Sequence, residues 1–275
     1  MLYSWNIDFM LPFPESRTKL ALKHLRELIT QQPQETASMI FLAECIAFDI
    51  QTITNDPWIR ENFFVTDVKG GKNWTAGFYG TTTLVSWRLS VLAVHHIFYE
   101  QTRMGRDGLF IDILLRGSGD EGKRVLRLCN THLESMAFEP AFRPPHMAVA
   151  AEHMRAEGVW GAVLAGDLNA IQDFDEHLHA DNGLRDAYLE LGGIEGTEEG
   201  FTWGQQAASH LREKFGCSSM DKVLYCGGVE IDRFERFGGD VLLEDEHEAK
   251  HVVRLGFDKP WITDHLGVMV EMKLV

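Results

Sequence analysis

Short apolar runs of strand length recur along the chain, separated by polar or glycine-containing stretches. Those predicting strands are Leu2–Ile7, Met39–Ala43, Phe63–Val68, Thr81–Trp87, Val91–Tyr99, Leu109–Leu115, Val125–Asn130 and Val159–Leu164, followed by Lys222–Cys226, Gly228–Phe237 and Leu266–Leu274. Two segments carry helical spacing instead. Between Glu15 and Thr30 it is set by Ala21, Leu22, Leu25, Leu28 and Ile29, and between Pro144 and Glu157 by Met147, Ala150, Ala151 and Met154. Shorter helical turns are expected near Asp173–Leu178 and Leu184–Leu191. Many strands, often consecutive, with few helices match neither an alternating βα pattern nor a pure β protein. Two packed sheets, mixed or antiparallel and flanked by helices, fit best. No repeat, low-complexity tract or Pro/Ser-rich linker divides the chain, so residues 1–275 are expected to form one domain.

Composition narrows this picture. At 45% apolar, 24% charged and 11% aromatic the chain can bury a sizeable core, which excludes a disordered protein. Cys45, Cys129, Cys217 and Cys226 form no CxxC pair and read as reduced thiols of an intracellular protein, nuclear or cytoplasmic. His95-His96 and His177-x-His179 lack partners for a zinc site and read as part of a strand and a surface loop. No apolar run reaches the roughly 18 residues of a membrane helix. The N-terminus has no basic leader and enters a strand at once, an arrangement that predicts further chain ahead of Met1 in the natural product. The net charge of −15 argues against holding nucleic acid or anionic lipid by bulk electrostatics. That charge is local: residues 171–199 contribute −8 and residues 240–248 contribute −5. A short nucleic-acid end therefore remains admissible if these two segments face away from the site, whereas extended duplex binding does not.

The ends of the predicted strands carry polar residues that a core does not require. Asn6 and Asp8 follow the first strand, Glu44 the second, and Thr131-His132-Leu133-Glu134-Ser135 closes the strand before the Pro144 helix. Gly166-Asp167-Leu168-Asn169 follows Val159–Ala165, Asp221 opens Lys222–Tyr225, and Thr263-Asp264-His265 precedes the last strand. Any one of these alone reads as a turn residue bonding its own backbone. As a set, carboxylates with an Asn are the oxygen ligands of a hard cation, and two His with an Asp–Asn pair supply proton-transfer groups and donors for a phosphoryl centre.

In this order the motifs resemble those of the endonuclease/exonuclease/phosphatase superfamily across Leu2 to Val275. Ser4-Trp5-Asn6-Ile7-Asp8, Asn130–Ser135, Phe201-Thr202-Trp203-Gly204-Gln205 and Pro260–Gly267 are similar to the 5′-tyrosyl-DNA phosphodiesterase branch, of which the chain resembles a divergent, fungal-type member. The resemblance implies a four-layer α/β/β/α sandwich and a Mg²⁺-dependent phosphodiesterase, with Mn²⁺ as a substitute, acting as a monomer on a DNA 5′ end away from membranes. It implies that Glu44 binds the metal, with Asp8, Asn6 and Asp264 beside it. Asp167 and Asn169 would orient and deprotonate the attacking water. His132 and His265 would meet the charge on phosphorus, with Asp221 fixing the tautomer of His265.

Two departures stand out. Ala43 occupies the place where the family usually has Gln before the metal-binding Glu, so one supporting hydrogen bond is missing or moved. The segment Met136–His146 is longer than in the tyrosyl-DNA branch and would shape substrate choice. For holding substrate, Arg103, Arg106 and Arg143 are each either an anion clamp or a solvated surface residue. Trp203 is either a stacking platform or core packing. A small phosphoester, nucleotide or phosphoinositide is the alternative substrate, favoured by the acidity. A binding module without turnover is a third reading, disfavoured because every catalytic position holds a competent residue.

Overall fold

Hydrogen bonding gathers the apolar runs into two sheets of six strands each. The structure is a computed structural model describing residues 1–69, 72–115 and 124–275. In chain order the elements are β1 (Leu2–Asn6), α1 (Pro14–Thr30), β2 (Met39–Ile46), α2 (Ala47–Asn55), α3 (Pro57–Asn62), β3 (Phe63–Val65), β4 (Tyr79–Ser86), β5 (Ser90–Phe98), β6 (Asp107–Leu115) and β7 (Arg124–Thr131). They continue with α4 (Arg143–Met154), β8 (Val159–Asp167), a 3-10 turn (Asp173–Asp175), α5 (Leu178–Asp181), β9 (Arg185–Asp186) and α6 (Ala187–Glu190). The last are α7 (Ser209–Phe215), β10 (Asp221–Gly227), β11 (Val229–Phe237), α8 (Glu246–Arg254) and β12 (Gly267–Leu274).

One sheet runs β11-β12-β1-β2-β4-β3 and the other β5-β6-β7-β8-β10-β9. Among the described residues only β1–β2 and β7–β8 pair in parallel. Parallel neighbours need a crossover connection, and α1 and α4, the two helices with clear sequence periodicity, supply them. Every strand alternates its faces, which builds the layers. Leu2, Phe41, Val85 and Val268 of the first sheet meet Ile111, Leu128, Val163 and Val223 of the second between the sheets. Tyr3, Trp5, Ile40 and Leu42 point the other way, towards Ala21, Leu22 and Leu25 of α1. Phe110, Cys129, Ala162 and Leu164 face Met147, Ala150 and Ala151 of α4. The result is an α/β/β/α sandwich.

All eleven predicted strands are present, with ends shifted by a few residues. The helices depart further from expectation. α2, α3, α7 and α8 lack an extended apolar stripe, and α8 buries only Val252 among its residues. Its capping residue Asp245 belongs to an acidic segment that offers no core signal. Within Leu184–Leu191 the expected helical turn is preceded by the two-residue strand β9, which pairs with β10.

Candidate active site

The topology explains why separate strand ends meet. β1, β2, β7 and β8 finish at one rim of the sandwich. Antiparallel pairing brings the start of β10 to the end of β8, with Asp221 opposite Asp167. It likewise brings the approach to β12 beside the end of β1, where the Thr263 hydroxyl donates to the Asn6 carbonyl at 2.8 Å. The backbone turns sharply at this rim. Asp8 (φ 52°), Glu44 (φ 61°) and Asn169 (φ 48°) are left-handed without being glycine, a conformation costing about 1–3 kcal/mol each that the surrounding bonds must hold. At Gly166 no other residue fits, since a Cβ there would lie 1.8 Å from the Thr131 carbonyl oxygen.

Asp167 is the hub, and it is buried. Its Oδ2 accepts from Asn6 Nδ2 at 3.0 Å, and its Oδ1 accepts from the Asn169 backbone N–H at 3.0 Å. His132 Nε2 lies 3.3 Å and His265 Nε2 3.7 Å from Oδ2. Burial opposes ionisation of Asp167, yet these imidazoles and the Asn6 amide hold it below the usual carboxylate range. Asn169 Nδ2 donates to the Leu133 carbonyl at 3.3 Å.

The two histidines are held in different states. His265 Nδ1 donates to Asp221 Oδ2 at 2.7 Å. Burial would lower its pKa, but the charges of Asp221 and Asp167 raise it well above the ordinary value. His265 is therefore an imidazolium whose Nε2 lies 3.7 Å from Asp167 Oδ2 and 3.8 Å from Asp264 Oδ1. His132 instead accepts from the Arg106 guanidinium, Nη1 to Nδ1 at 2.8 Å. Arg can only donate, so the Nδ1 is bare and the proton sits on Nε2. Burial, reinforced by the Arg106 charge, lowers the His132 pKa to about 4 and keeps the ring neutral. Its Nε2 is buried and makes no aligned hydrogen bond.

Asp8, Glu44 and Asp264 form the acidic side of the rim. Burial and the Asp264 charge push Asp8 up to about 6, and burial and the Asp8 charge push Glu44 up to about 8. Glu44 Oε2 accepts from the Phe9 backbone N–H at 3.1 Å. Glu44 thus takes a donor from the β1–α1 loop, where the Ala43 side chain offers none. Among the described residues, no three His, Cys, Asp or Glu side chains close into a ready metal cage. The donor set still fits a hard cation: Mg²⁺ keeps several waters and takes only one or two carboxylates, and mutually repelling carboxylates are what it would relieve.

The four substrate-holding candidates have different fates. Arg106 is at the site but buried, with Nη1 on His132, Nη2 on Ser135 Oγ at 3.1 Å and its buried Nε left without a hydrogen-bond partner. Arg103 is exposed in the same loop, its guanidinium 4.5 Å from the Phe138 ring centre. Arg143 is corrected. It is 1% exposed and locked to Asp175 Oδ2 at 2.6 Å and to the Glu134 carbonyl at 2.8 Å, because a buried guanidinium must satisfy its donors internally. Trp203 is also corrected as a stacking platform: it is 9% exposed, and its indole N–H donates to Asp264 Oδ2 at 2.8 Å. Asp173, Glu176 and Glu195 line a groove of about 730 Å³ with Leu168 and Ser218, neighbours of Asn169 and of the Trp203 bridge.

Three supports were not singled out from sequence. Glu134 is fully buried and accepts from the Arg103 N–H at 2.7 Å and the Thr102 hydroxyl, building the loop that carries Arg106. Thr202 Oγ1 accepts from the Asp221 N–H at 2.9 Å. Arg17, on α1, is bound beneath Asp8. Its signal was present, as it extends the Ala21–Leu25 stripe backwards by one turn into a charged residue.

A sequence model of the endonuclease/exonuclease/phosphatase family matches residues 3–265. No curated protein matches. Among solved structures, truncated Caenorhabditis elegans TDP2 is 18% identical with a TM-score of 0.67, covering 100% of this chain and 96% of that one. TDP2 of D. rerio, complexed with single-strand DNA product, is 18% identical with a TM-score of 0.66, covering 99% and 98%. The mannosyl-6-phosphatase Bt3783 of Bacteroides thetaiotaomicron is 12% identical with a TM-score of 0.63, covering 99% of each chain. At these identities the likeness is one of fold.

Proposed function

Because the chain belongs to the endonuclease/exonuclease/phosphatase family, whose members hydrolyse phosphoester bonds, we propose that it is a Mg²⁺-dependent phosphodiesterase removing a tyrosyl or similar adduct from a DNA 5′ end. The observation that carries the chemistry is Asp167 held between a charged and a neutral imidazole beside three carboxylates. Asp167 orients the attacking water with Asn169 and accepts its proton as the water oxygen bonds to phosphorus and the bond from phosphorus to the tyrosyl oxygen breaks, the tyrosyl group leaving as its phenolate. His265, kept protonated by Asp221, donates from Nε2 to a phosphoryl oxygen. His132 donates from its own Nε2, which has no aligned acceptor in the protein. Charge building on the five-coordinate phosphorus thus meets two fixed donors. Asn6 holds Asp167 in place through its amide. Glu44, Asp8 and Asp264 would hold the cation. When bound, that cation supplies Lewis-acid polarisation of the phosphate and offsets the leaving oxygen's charge, a role divalent metals generally serve in this family.

Support for the DNA-end substrate is the likeness in fold to TDP2 structures together with the branch-like flanking motifs. Incubating the protein with a 5′-phosphotyrosyl oligonucleotide and Mg²⁺ tests it; release of a 5′-phosphate is expected. Equal turnover by Asp167→Asn would sink the mechanism, and no turnover by the wild type would sink the substrate. The acidic groove beside Leu168 and Ser218 favours a second reading, a small phosphoester substrate. A panel of nucleotides and sugar phosphates, measured against the oligonucleotide, separates the two.

A further inference from the structure

Arg17 is 3% exposed, in the first turn of α1, and all five of its N–H bonds end on backbone carbonyls. Nε donates to Pro12 at 2.9 Å, Nη2 to Asp8 at 2.8 Å and Leu11 at 3.0 Å, and Nη1 to Ile7 at 2.5 Å and Ile262 at 2.8 Å. Four of these acceptors lie on the loop between β1 and α1. The fifth belongs to the segment entering Thr263-Asp264-His265, more than 240 residues away in sequence. Among the described residues Arg17 makes no direct ion pair. Its charge is met at longer range by Asp8, Asp49, Asp264 and Glu44. The loop it grips turns through left-handed residues at both ends, Asp8 (φ 52°) and Phe13 (φ 64°), and neither conformation is one such a residue adopts unaided.

We propose that Arg17 is a positioning residue that fixes the Asp8 turn against the Asp264 segment, so that the two carboxylates present a preformed site for a divalent cation. The inference rests on the reading of Asp8, Glu44 and Asp264 as cation ligands. Thr263 and Trp5 also join β1 to this segment, through Asn6 and His265 carbonyls; Arg17 adds one bond to Ile262 while its other four hold the loop that carries Asp8. Its planar fork suits this task and an ammonium does not, since Lys offers three donors from a single nitrogen.

The test measures Mn²⁺ binding to substrate-free protein through the electron paramagnetic resonance signal of free Mn²⁺. Arg17→Lys and Arg17→Gln should weaken the Kd at least about tenfold while keeping most of kcat at saturating Mg²⁺, since positioning changes affinity more than chemistry. Thr18→Val, which loses the adjacent buried hydrogen bond to Asp49, should lower Tm and leave the Kd unchanged. An unchanged Kd in both Arg17 variants, or an equal loss in Thr18→Val, overturns the proposal. Should the Arg17 variants fail to fold, arginine side-chain NMR of the wild type decides: the Arg17 Nε–H resonance should shift on adding Mg²⁺, and invariance overturns the role. Wild-type protein that binds no Mn²⁺, or binds it equally after Glu44→Gln, overturns the cation reading itself, a result distinct from selective failure of Arg17.

Discussion

The indole of Trp203 gives its N–H to Asp264 and the guanidinium of Arg106 gives one of its own to His132, so each residue's role is set by where its donors are already spent. This makes the two histidines separable by experiment. Asp221→Asn removes the charge that raises the His265 pKa. Protonation of His265 is then lost at a lower pH, so the alkaline limb of the pH–rate profile should move to lower pH and kcat/KM should fall about 10²-fold. An unmoved alkaline limb would exclude His265 as the charged donor. Arg106→Met removes a donor to His132 Nδ1 and a charge that helps keep the ring neutral. Nitrogen NMR should then show His132 as a mixture of tautomers titrating above its present value of about 4.

Among elements, the pairing of β5 with β6 and the turn before β4 trap an ion cluster whose Asp107 follows Arg106 in the chain. His96 was expected to be an unpartnered strand residue, yet its Nδ1 lies 2.6 Å from Asp107 Oδ2 and its Nε2 3.2 Å from Asp67 Oδ1. Burial would lower its pKa, but hydrogen bonds to Asp107 and Asp67 raise it to about 9. The folded value exceeds the unfolded value of 6.5. The stabilisation is therefore fully present below pH 6.5 and is lost as pH rises through 9. After discounting for partial solvent screening it amounts to about 1–2 kcal/mol. His96→Phe should accordingly lower Tm at pH 6 and have much less effect near pH 10; a constant difference would rule out the charged pairing. Where β7 meets β8, Gly166→Ala should cost more than about 2 kcal/mol in chemical denaturation, because the new methyl meets a backbone carbonyl that cannot move aside.

At the scale of the whole molecule, the net charge of −15 bears on the substrate through its distribution. Part of the 171–199 segment is neutralised internally, Asp175 by Arg143 and Glu195 by Lys222. Asp173 and Glu176 line the groove that Leu168 and Ser218 share. Replacing both by Lys should raise kcat/KM for an oligonucleotide several-fold at low salt, and the gain should fade towards about 0.3 M salt as screening takes over. A gain that persists at high salt would mean that direct contact, not the field, is responsible. Chelation should abolish turnover reversibly, with Mg²⁺ restoring it; full activity in chelator would contradict the role given to Asp8, Glu44 and Asp264.

Strands and the two long helices were legible because their signal is local: alternation and helical spacing report which face each segment buries, whichever partner covers it. The candidate site was legible for the same reason, since Asn6, Asp8, Glu44, His132, Asp167, Asn169, Asp221, Asp264 and His265 mark strand ends where a core has no use for them. The sequence by itself thus determined eleven strands, the two long helices and the chemical inventory of the rim. It could not say which donors would be free. Arg143, Trp203 and Arg106 looked equally available as polar or aromatic residues near motifs, and only tertiary packing buried them and turned donors of each onto Asp175, Asp264 and His132. For Arg17 the stripe showed a buried position, but not its partners, because its five acceptors are carbonyls, which every residue carries. Hydrophobic periodicity is a property of neighbours along the chain, whereas protonation, exposure and hydrogen-bond availability belong to neighbours in space, and those the tertiary structure alone decided.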